Sequence, residues 1–246
     1  MRIFILSVIL LFSTLAFSQS YWITAKAGPS LGFQQWGNSA TSNNSQLYAY
    51  HGALGIESYS ESSNSSLFAQ VGYHIRGSAI RYNNSYYYDP ITNHYIQGGS
   101  QTTTYQFKNL VLLLGAKKKD ILGSKDAYFT FGIRGEYTIG TNLATPDSTS
   151  FLYYTFYPNS RGVNNFNYGA TLGGGYEFKF SDLVGGAIEL NIHRDFSNQY
   201  YWPPIPNAYR DPTTGSLVTT SEQSIKNTTL ELSFVMRFLR KIVYTD

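Results

Sequence analysis

Apolar and polar side chains alternate along most of this chain, most regularly over residues 166–196. In the two arms of that segment one face carries Phe166, Tyr168, Ala170, Leu172, Tyr176 and Phe178, then Val184, Gly186, Ile188, Leu190, Ile192 and Phe196. A period of two indicates β-strands, and Ser181 and Asp182 between the arms indicate a hairpin turn. Each arm reaches the roughly 9 to 11 residues that a tilted β-strand needs to cross a bilayer.

The other face of this hairpin indicates its environment. It mixes Gly, Thr and Asn with charged residues such as Glu177 and Glu189, which a water-excluded core would not accept. The apolar face has aromatic residues at its ends and aliphatic residues between them. An apolar face towards lipid and a polar face towards the interior are typical of a transmembrane β-barrel.

Six more segments show the same alternation, at 21–33, 47–58, 66–80, 102–117, 127–142 and 227–238. Segment 102–117 is ambiguous, because Tyr105 and Phe107 are at odd positions and the leucines from Leu110 onwards are at even positions. A β-bulge near Lys108 and Asn109 would bring both sets to the outward face. With the hairpin, these segments predict eight antiparallel strands.

The connections indicate how the strands are ordered. Long connections at 34–46, 82–101, 143–165 and 197–226 alternate with short ones at 59–65, 118–126 and 181–182. Such alternation predicts an all-β, eight-stranded antiparallel up-and-down barrel with long extracellular loops, periplasmic turns and both chain ends in the periplasm.

Composition supports a membrane barrel. Of the 246 residues 13% are charged, against roughly 25 to 35% for a soluble surface, and the 22 tyrosines suit aromatic girdles. No run after residue 20 is long and apolar enough for a transmembrane helix. The net charge of +3 is too small to indicate a nucleic-acid partner, and the lack of cysteine excludes disulfides and thiolate metal sites.

The first residues indicate export. Arg2 precedes an apolar run to Leu15, and Ala16-Phe17-Ser18 forms a small-x-small site. We predict a signal peptide at 1–18 that is removed, a barrel at 19–238 and a short periplasmic tail at 239–246. The alternative is a membrane anchor, for which the run is short.

Four stretches carry a resemblance to a known family: residues 25–28 (AKAG), 105–115 (YQFKNLVLLLG), 176–178 (YEF) and 232–238 (LSFVMRF). Together they resemble the PorT-like family of small outer-membrane β-barrels. The resemblance implies a bacterial outer-membrane location and a non-catalytic structural or interaction component of an envelope complex, since some members belong to a type IX secretion system. The tail after Phe238 departs from barrels that end at that aromatic residue.

Several charged residues have inward parity: Lys26, Arg76, Arg134, Glu136, Glu177, Glu189, Glu231 and Arg237. A charge inside a narrow barrel is tolerated when it is paired and hydrogen-bonded. These residues could line an ion path or form a salt-bridge plug. Since side chains fill the interior of an eight-stranded barrel, we predict the plug.

Histidines raise the question of catalysis and metal binding. His193, Asp195 and Ser197 suggest an outer-membrane enzyme that modifies lipid, similar to a lipid A deacylase, but four residues along a strand separate His193 from Ser197 by about 13 Å. His51 and His74 have inward parity, but two imidazoles without a third ligand make a weak metal site. We therefore predict no catalytic, metal or cofactor site, and keep the lipid-modifying enzyme as the alternative.

The predicted outer loops are rich in aromatic residues, namely Tyr153, Tyr154, Phe156, Tyr157, Tyr200, Tyr201 and Trp202. Such clusters are favoured at protein interfaces because they bury a large area at low entropic cost. They predict binding to another envelope protein, in addition to contact with membrane lipid. The alternative is that they pack on one another as a cap over the barrel mouth.

Overall fold

A computed structural model describes residues 20–37, 44–59, 63–82, 86–89, 91, 93–97, 101–121, 123–145, 158–211 and 214–240. The strands are β1 Tyr21–Gly37, β2 Asn44–Ser58, β3 Ser65–Tyr82, β4 Tyr86–Asp89, β5 His94–Gln97, β6 Gln101–Ile121, β7 Ser124–Thr141, β8 Phe166–Lys179, β9 Val184–Asp195, β10 Tyr200–Trp202, β11 Tyr209–Arg210, β12 Leu217–Val218 and β13 Gln223–Arg240. Over these residues no helix has the length and apolarity to cross a membrane. The predicted signal peptide lies outside the described residues.

Eight long antiparallel strands close into a barrel in the order β1-β2-β3-β6-β7-β8-β9-β13. The ring closes where β1 pairs with β13, from Tyr21 opposite Arg240 to Gly37 opposite Ser224. Each strand of the ring pairs with the next one along the chain, so the barrel is up-and-down, as predicted. Strand β13 continues two residues past Phe238, where the sequence predicted the barrel to end.

Three shorter pairings lie in the connections. Strands β4 and β5 form one hairpin, β11 and β12 form another, and β10 pairs with the start of β13 through Tyr200 opposite Ile225. All three lie at the end of the barrel that carries the connections 83–100, 142–165 and 196–222. We call this the outer end, and the opposite end, with connections 59–64, 122–123 and 180–183, the inner end.

The two faces of the wall differ as the alternation predicts. Leu190 is 49% exposed, whereas its neighbour Asn191 is 1% exposed and faces the interior. The exposed apolar side chains of the wall include Ile23, Leu54, Ile56, Leu67, Val71, Leu110, Leu112, Leu114, Phe129, Phe131, Ile133, Leu172, Ile188, Ile192, Leu232 and Phe234. A continuous apolar exterior around a polar interior is the wall of a transmembrane β-barrel.

One predicted long loop is short. Strand β1 runs to Gly37 and β2 begins at Asn44, so the strands occupy most of the segment 34–46. Ladder pairing continues there because β1 keeps its partner β13 up to Gly37. The outer-end connections are therefore uneven in length.

Strand β6 differs from the prediction in which residues face inward. Tyr105 is 8% exposed and Phe107 is fully buried, and both point to the interior with Asn109 and Val111. The register does shift at Lys108 and Asn109, but the extra residue is on β7, because Lys108 is opposite Gly140 and Asn109 is opposite Thr138. Strand β6 keeps one alternation throughout, and its outer aromatic residues face inward because they pack in an apolar cluster at the barrel mouth.

Candidate functional site

The barrel interior contains three levels of buried ion pairs. The outer level joins β3, β7 and β9 through Arg76, Arg134, Glu136 and Asp195, none more than 3% exposed. Arg76 Nη2 lies 2.7 Å from Glu136 Oε1, and Arg134 pairs with both Glu136 and Asp195. Arg134 and Glu136 are successive inward positions of β7. Asp195 on β9 pairs with Arg134, and Arg76 on β3 pairs with Glu136.

The middle level is a single ion pair with two hydrogen bonds. Lys26 Nζ on β1 lies 3.2 Å from Glu189 Oε1 on β9, across the interior. Tyr128 donates its hydroxyl to Glu189 Oε2 at 2.9 Å, and Asn191 Nδ2 donates to Oε1 at 2.6 Å. The carboxylate therefore has a cation and two donors, which compensates for its loss of water.

The inner level joins β2, β6, β8 and β13. Lys117 Nζ lies 3.2 Å and Arg237 Nη2 3.3 Å from Glu57 Oε2, and both cations also pair with Glu177. Lys119 Nζ lies 2.9 Å from Glu177 Oε2, the oxygen that Arg237 also contacts. The Lys117 and Arg237 cations also lie over the rings of Tyr128 and Trp22, at 3.9 and 4.5 Å from the centroids, in cation–π geometry.

All eight interior charges named from the sequence face the interior. The structure adds Glu57, Lys117, Lys119 and Asp195, so that among the described residues six interior cations meet six carboxylates. Glu57 has the same inward parity on β2 as His51, so the alternation of side chains could have identified it from the sequence. Lys117 lies after the expected bulge at an odd position, opposite in parity to the outward leucines from Leu110 onwards, so the same signal could have found it.

Three histidines surround Glu231 between the outer and middle levels. His74 Nδ1 lies 2.6 Å from Glu231 Oε1, and His193 Nε2 lies 2.7 Å from Oε2. A carboxylate only accepts, so both nitrogens carry the hydrogen, and neutral His193 then accepts at Nδ1 from the Thr171 hydroxyl at 2.8 Å. His51 stacks on His74 with ring centroids 5.4 Å apart.

The three histidines come from three different strands, β2, β3 and β9. The sequence brought only His51 and His74 together, whereas the fold adds His193 and Glu231 from β9 and β13, neither of which neighbours β2 or β3. No cluster of histidines and carboxylates within the described ranges could hold a metal ion. His74 Nδ1 and His193 Nε2 are both used as donors to the one carboxylate, and Arg76 Nη1 lies 4.0 Å from it.

Ser197 does not approach His193. Its hydroxyl donates to Asn167 Oδ1 at 3.2 Å and accepts from the Tyr168 backbone N–H at 2.9 Å. Thr171, His193 and Glu231 instead form a hydroxyl–imidazole–carboxylate chain. All three are at most 2% exposed.

Little empty space lies between the middle and inner levels. A cavity of about 20 Å³ lies between the middle and inner levels, lined by Lys26, Tyr128, Thr171, Glu189 and Arg237 among others. A water molecule needs roughly 10 to 15 Å³ of such space, so this cavity holds about one. The ion pairs and their neighbours therefore fill this part of the barrel.

Above the charged interior, an apolar cluster that we call the outer cap fills the barrel mouth. It consists of Tyr105, Phe107, Leu143, Tyr200 and Ile225, with Trp36, Val163 and Trp202 packed against it. Strand β10 brings Tyr200 into the mouth by pairing with β13. Burial raises the pKa of the Tyr200 phenol to about 12.

Two further residues fix the outer cap in place. Gln199, fully buried, donates from Nε2 to Thr138 Oγ1 at 2.8 Å and accepts from Asn227 Nδ2 at 3.2 Å. Gly162, at the end of the 3-10 turn Ser160–Gly162, lies so close to Tyr200 that a Cβ would meet the ring at 2.4 Å. The cap thus joins the connection before β8 to the connection after β9.

The aromatic loop residues are divided between the cap and the surface. Tyr200 is fully buried in the outer cap, Trp202 is half-buried against it, and Tyr201 is 40% exposed. A buried ring offers no contact to a partner, so of these three Tyr201 is the accessible one. Tyr153, Tyr154, Phe156 and Tyr157 lie outside the described residues.

Comparisons with known proteins give weak structural likeness only. No family model and no curated protein sequence matches the chain. Among solved structures, the outer membrane protein OprG from Pseudomonas aeruginosa has a TM-score of 0.48 and 8% identity, over 89% of this chain and 97% of OprG. Neisserial surface protein A and the protease OmpT from Escherichia coli each have a TM-score of 0.39 and 10% identity, covering 89% and 90% of this chain and 96% and 97% of theirs.

At these scores the likenesses carry no argument about this chain. Its own strand pairing and the division of its faces establish an eight-stranded barrel. The resemblance to the PorT-like family stays a prediction.

Proposed function

We propose that this chain is a closed outer-membrane barrel that acts through its surfaces, as a non-catalytic structural or interaction component of an envelope complex. The observation that carries the proposal is the filled interior, with paired charges at three levels and the outer cap above them. A barrel without a path through its interior performs its role at its wall or its ends.

The outer-membrane location is supported by the wall. Its exposed apolar side chains favour a hydrocarbon environment. In that environment backbone N–H and C=O groups must bond to one another, and a closed barrel meets this requirement because its strands pair around the ring. Up-and-down antiparallel barrels with short turns at one end and longer connections at the other are the form that bacterial outer membranes contain. The predicted signal peptide provides the export that this location requires.

The interaction role is supported by apolar side chains on the outer-end hairpins. Ile91 is 92% exposed and Tyr95 74% exposed next to the β4–β5 turn, and Leu217 on β12 is 55% exposed. Together with Tyr201 they place apolar groups above the membrane, where exposed patches usually mark contact sites. We propose another envelope protein as the partner of these hairpins.

The test is co-purification from native membranes in mild detergent, with mass spectrometry of the proteins retained. Tyr95→Ala combined with Tyr201→Ala should lose a companion that the unaltered chain retains. Tyr50→Ala is the matched control, since Tyr50 is 63% exposed but faces lipid from β2. A companion profile that is the same in the double variant and the control would contradict the proposed surface.

An outer-membrane enzyme acting on lipid is the second candidate, and the Thr171–His193–Glu231 chain is the observation that favours it. Incubation of purified barrel with lipid A and phospholipid, followed by mass spectrometry, tests it. Turnover that Thr171→Val abolishes would establish the enzyme and overturn the non-catalytic proposal. The burial of all three residues leads us to expect no turnover.

A further inference from the structure

A small basic cluster lies on the lipid-facing side of the wall near the outer end. Arg194, exposed on β9, and Lys226, half-buried on β13, face outward next to Gln35 and Thr228. The register brings them together, because Thr228 is opposite Arg194 and Gln35 is opposite Lys226. We call these four residues the rim cluster.

Two hydrogen bonds hold the guanidinium against the wall. Arg194 Nη1 donates to Thr228 Oγ1, and Nη2 donates to Gln35 Oε1 at 2.7 Å. A guanidinium has five N–H donors, so three remain for a ligand. Lys226 lies two positions from Thr228 on the same face of β13, roughly 7 Å along the strand, and can approach the same ligand.

Within the part of the chain that the structure describes, the rim cluster has no acidic partner. Every cation of the charged interior pairs with a carboxylate, whereas among the described residues neither Arg194 nor Lys226 forms an ion pair. Asp195, next to Arg194 in sequence, faces the interior and pairs with Arg134. Two uncompensated cations on one outward patch are complementary to an anion from outside the chain.

The height of the cluster indicates which anion it meets. Below Arg194, Ile192 is 52% exposed to the apolar surroundings, and Phe33 and Phe196 flank the cluster with 39% and 56% exposure. Aromatic side chains mark the level of the lipid headgroups in barrels. Arginine at that level meets phosphate, which its planar fork of donors fits.

We propose that the rim cluster binds the phosphate group of an outer-leaflet lipid, with Arg194 as the main ligand and Lys226 as the second cation. Gln35 and Thr228 orient the guanidinium. The proposal rests on the proposed membrane location but not on the partner protein. It would fix the rotation and depth of the barrel relative to the lipids around β9, β13 and β1.

The test is native mass spectrometry of the purified full chain in detergent, titrated with diphosphorylated lipid A and with the same lipid after removal of its phosphates. We compare Arg194→Gln and Lys226→Gln with the control Arg161→Gln, which removes an exposed cation of the 3-10 turn away from the cluster. Arg194→Gln should bind the phosphorylated lipid at least about tenfold more weakly, since hydrogen bonds between charged groups are the strong ones. Lys226→Gln should show a smaller loss in the same direction, and the control no change.

Heat-modifiable migration on a gel confirms that each variant remains a folded barrel, so loss of lipid is separate from loss of fold and from any companion protein. Competition with inorganic phosphate shows whether the rim cluster recognises the phosphate group alone or the whole lipid. Displacement of the lipid by free phosphate means that the phosphate group suffices, and no displacement means that the lipid as a whole is recognised. Equal binding of both lipid A forms, or unchanged binding by Arg194→Gln, would overturn the proposal.

Discussion

Replacing Lys26 by Met should destabilise the barrel by leaving Glu189 as a buried carboxylate without its cation. Lys26 and Glu189 are each 7% exposed, and among the described residues neither shares an ion pair with a third group. Removing one partner of a buried ion pair costs about 3 to 5 kcal/mol, because the remaining charge stays away from water. The hydrogen bonds from Tyr128 and Asn191 remain, so we expect about 3 kcal/mol, the lower end of that range.

The double variant Lys26→Met with Glu189→Gln separates the charge effect from packing. The amide introduced by Glu189→Gln would accept from Asn191 through its oxygen and could donate from its NH2 group to the Tyr128 hydroxyl oxygen, and no unpaired charge would remain. We therefore expect the double variant to have a higher free energy of unfolding than Lys26→Met alone. The coupling between the two changes should be about 1 to 3 kcal/mol, as for residues in direct contact.

Equilibrium unfolding by urea in lipid vesicles, followed by tryptophan fluorescence, measures these free energies. Lys179→Met is the control, since Lys179 is exposed at the end of β8 and its loss should change stability by less than about 0.5 kcal/mol. The reasoning is wrong if Lys26→Met behaves like this control, or if the two changes add without coupling. Either result would mean that Glu189 has access to water.

Two further predictions use the same unfolding assay. Leu190→Arg places a cation in the lipid-facing wall and should cost about 2 to 4 kcal/mol, whereas Lys118→Arg, an exposed outward position near the inner end, should be nearly neutral; a harmless Leu190→Arg would reverse the assigned faces. Tyr200→Ala empties the centre of the outer cap and should cost about 3 to 5 kcal/mol, whereas Tyr201→Ala should be nearly neutral; equal effects would mean that the cap does not hold Tyr200.

The face of each strand followed from the sequence wherever one face was apolar and the other polar, as at Leu190 and Asn191. It failed at Tyr105 and Phe107, because alternation shows that two residues share a face but not whether that face meets lipid or an apolar cap. A strand with apolar residues on both faces needs its neighbours before it can be oriented.

Contacts across the interior could not be read from the sequence. Glu231 meets His74 and His193 because strand tilt and register bring β3, β9 and β13 to one height, and neither depends on local pattern alone. The eight charges could be assigned to the interior, but which pairs form depends on that geometry. The length of the first outer connection was also misjudged, because ladder pairing beyond Phe33 depends on β13.

The central claim, that the barrel is closed, is tested most directly by conductance. Purified barrel reconstituted into a planar bilayer should show no steady current above the background of the bare membrane, because ion pairs and the outer cap fill its interior. Reproducible open-channel steps of uniform size would contradict the account.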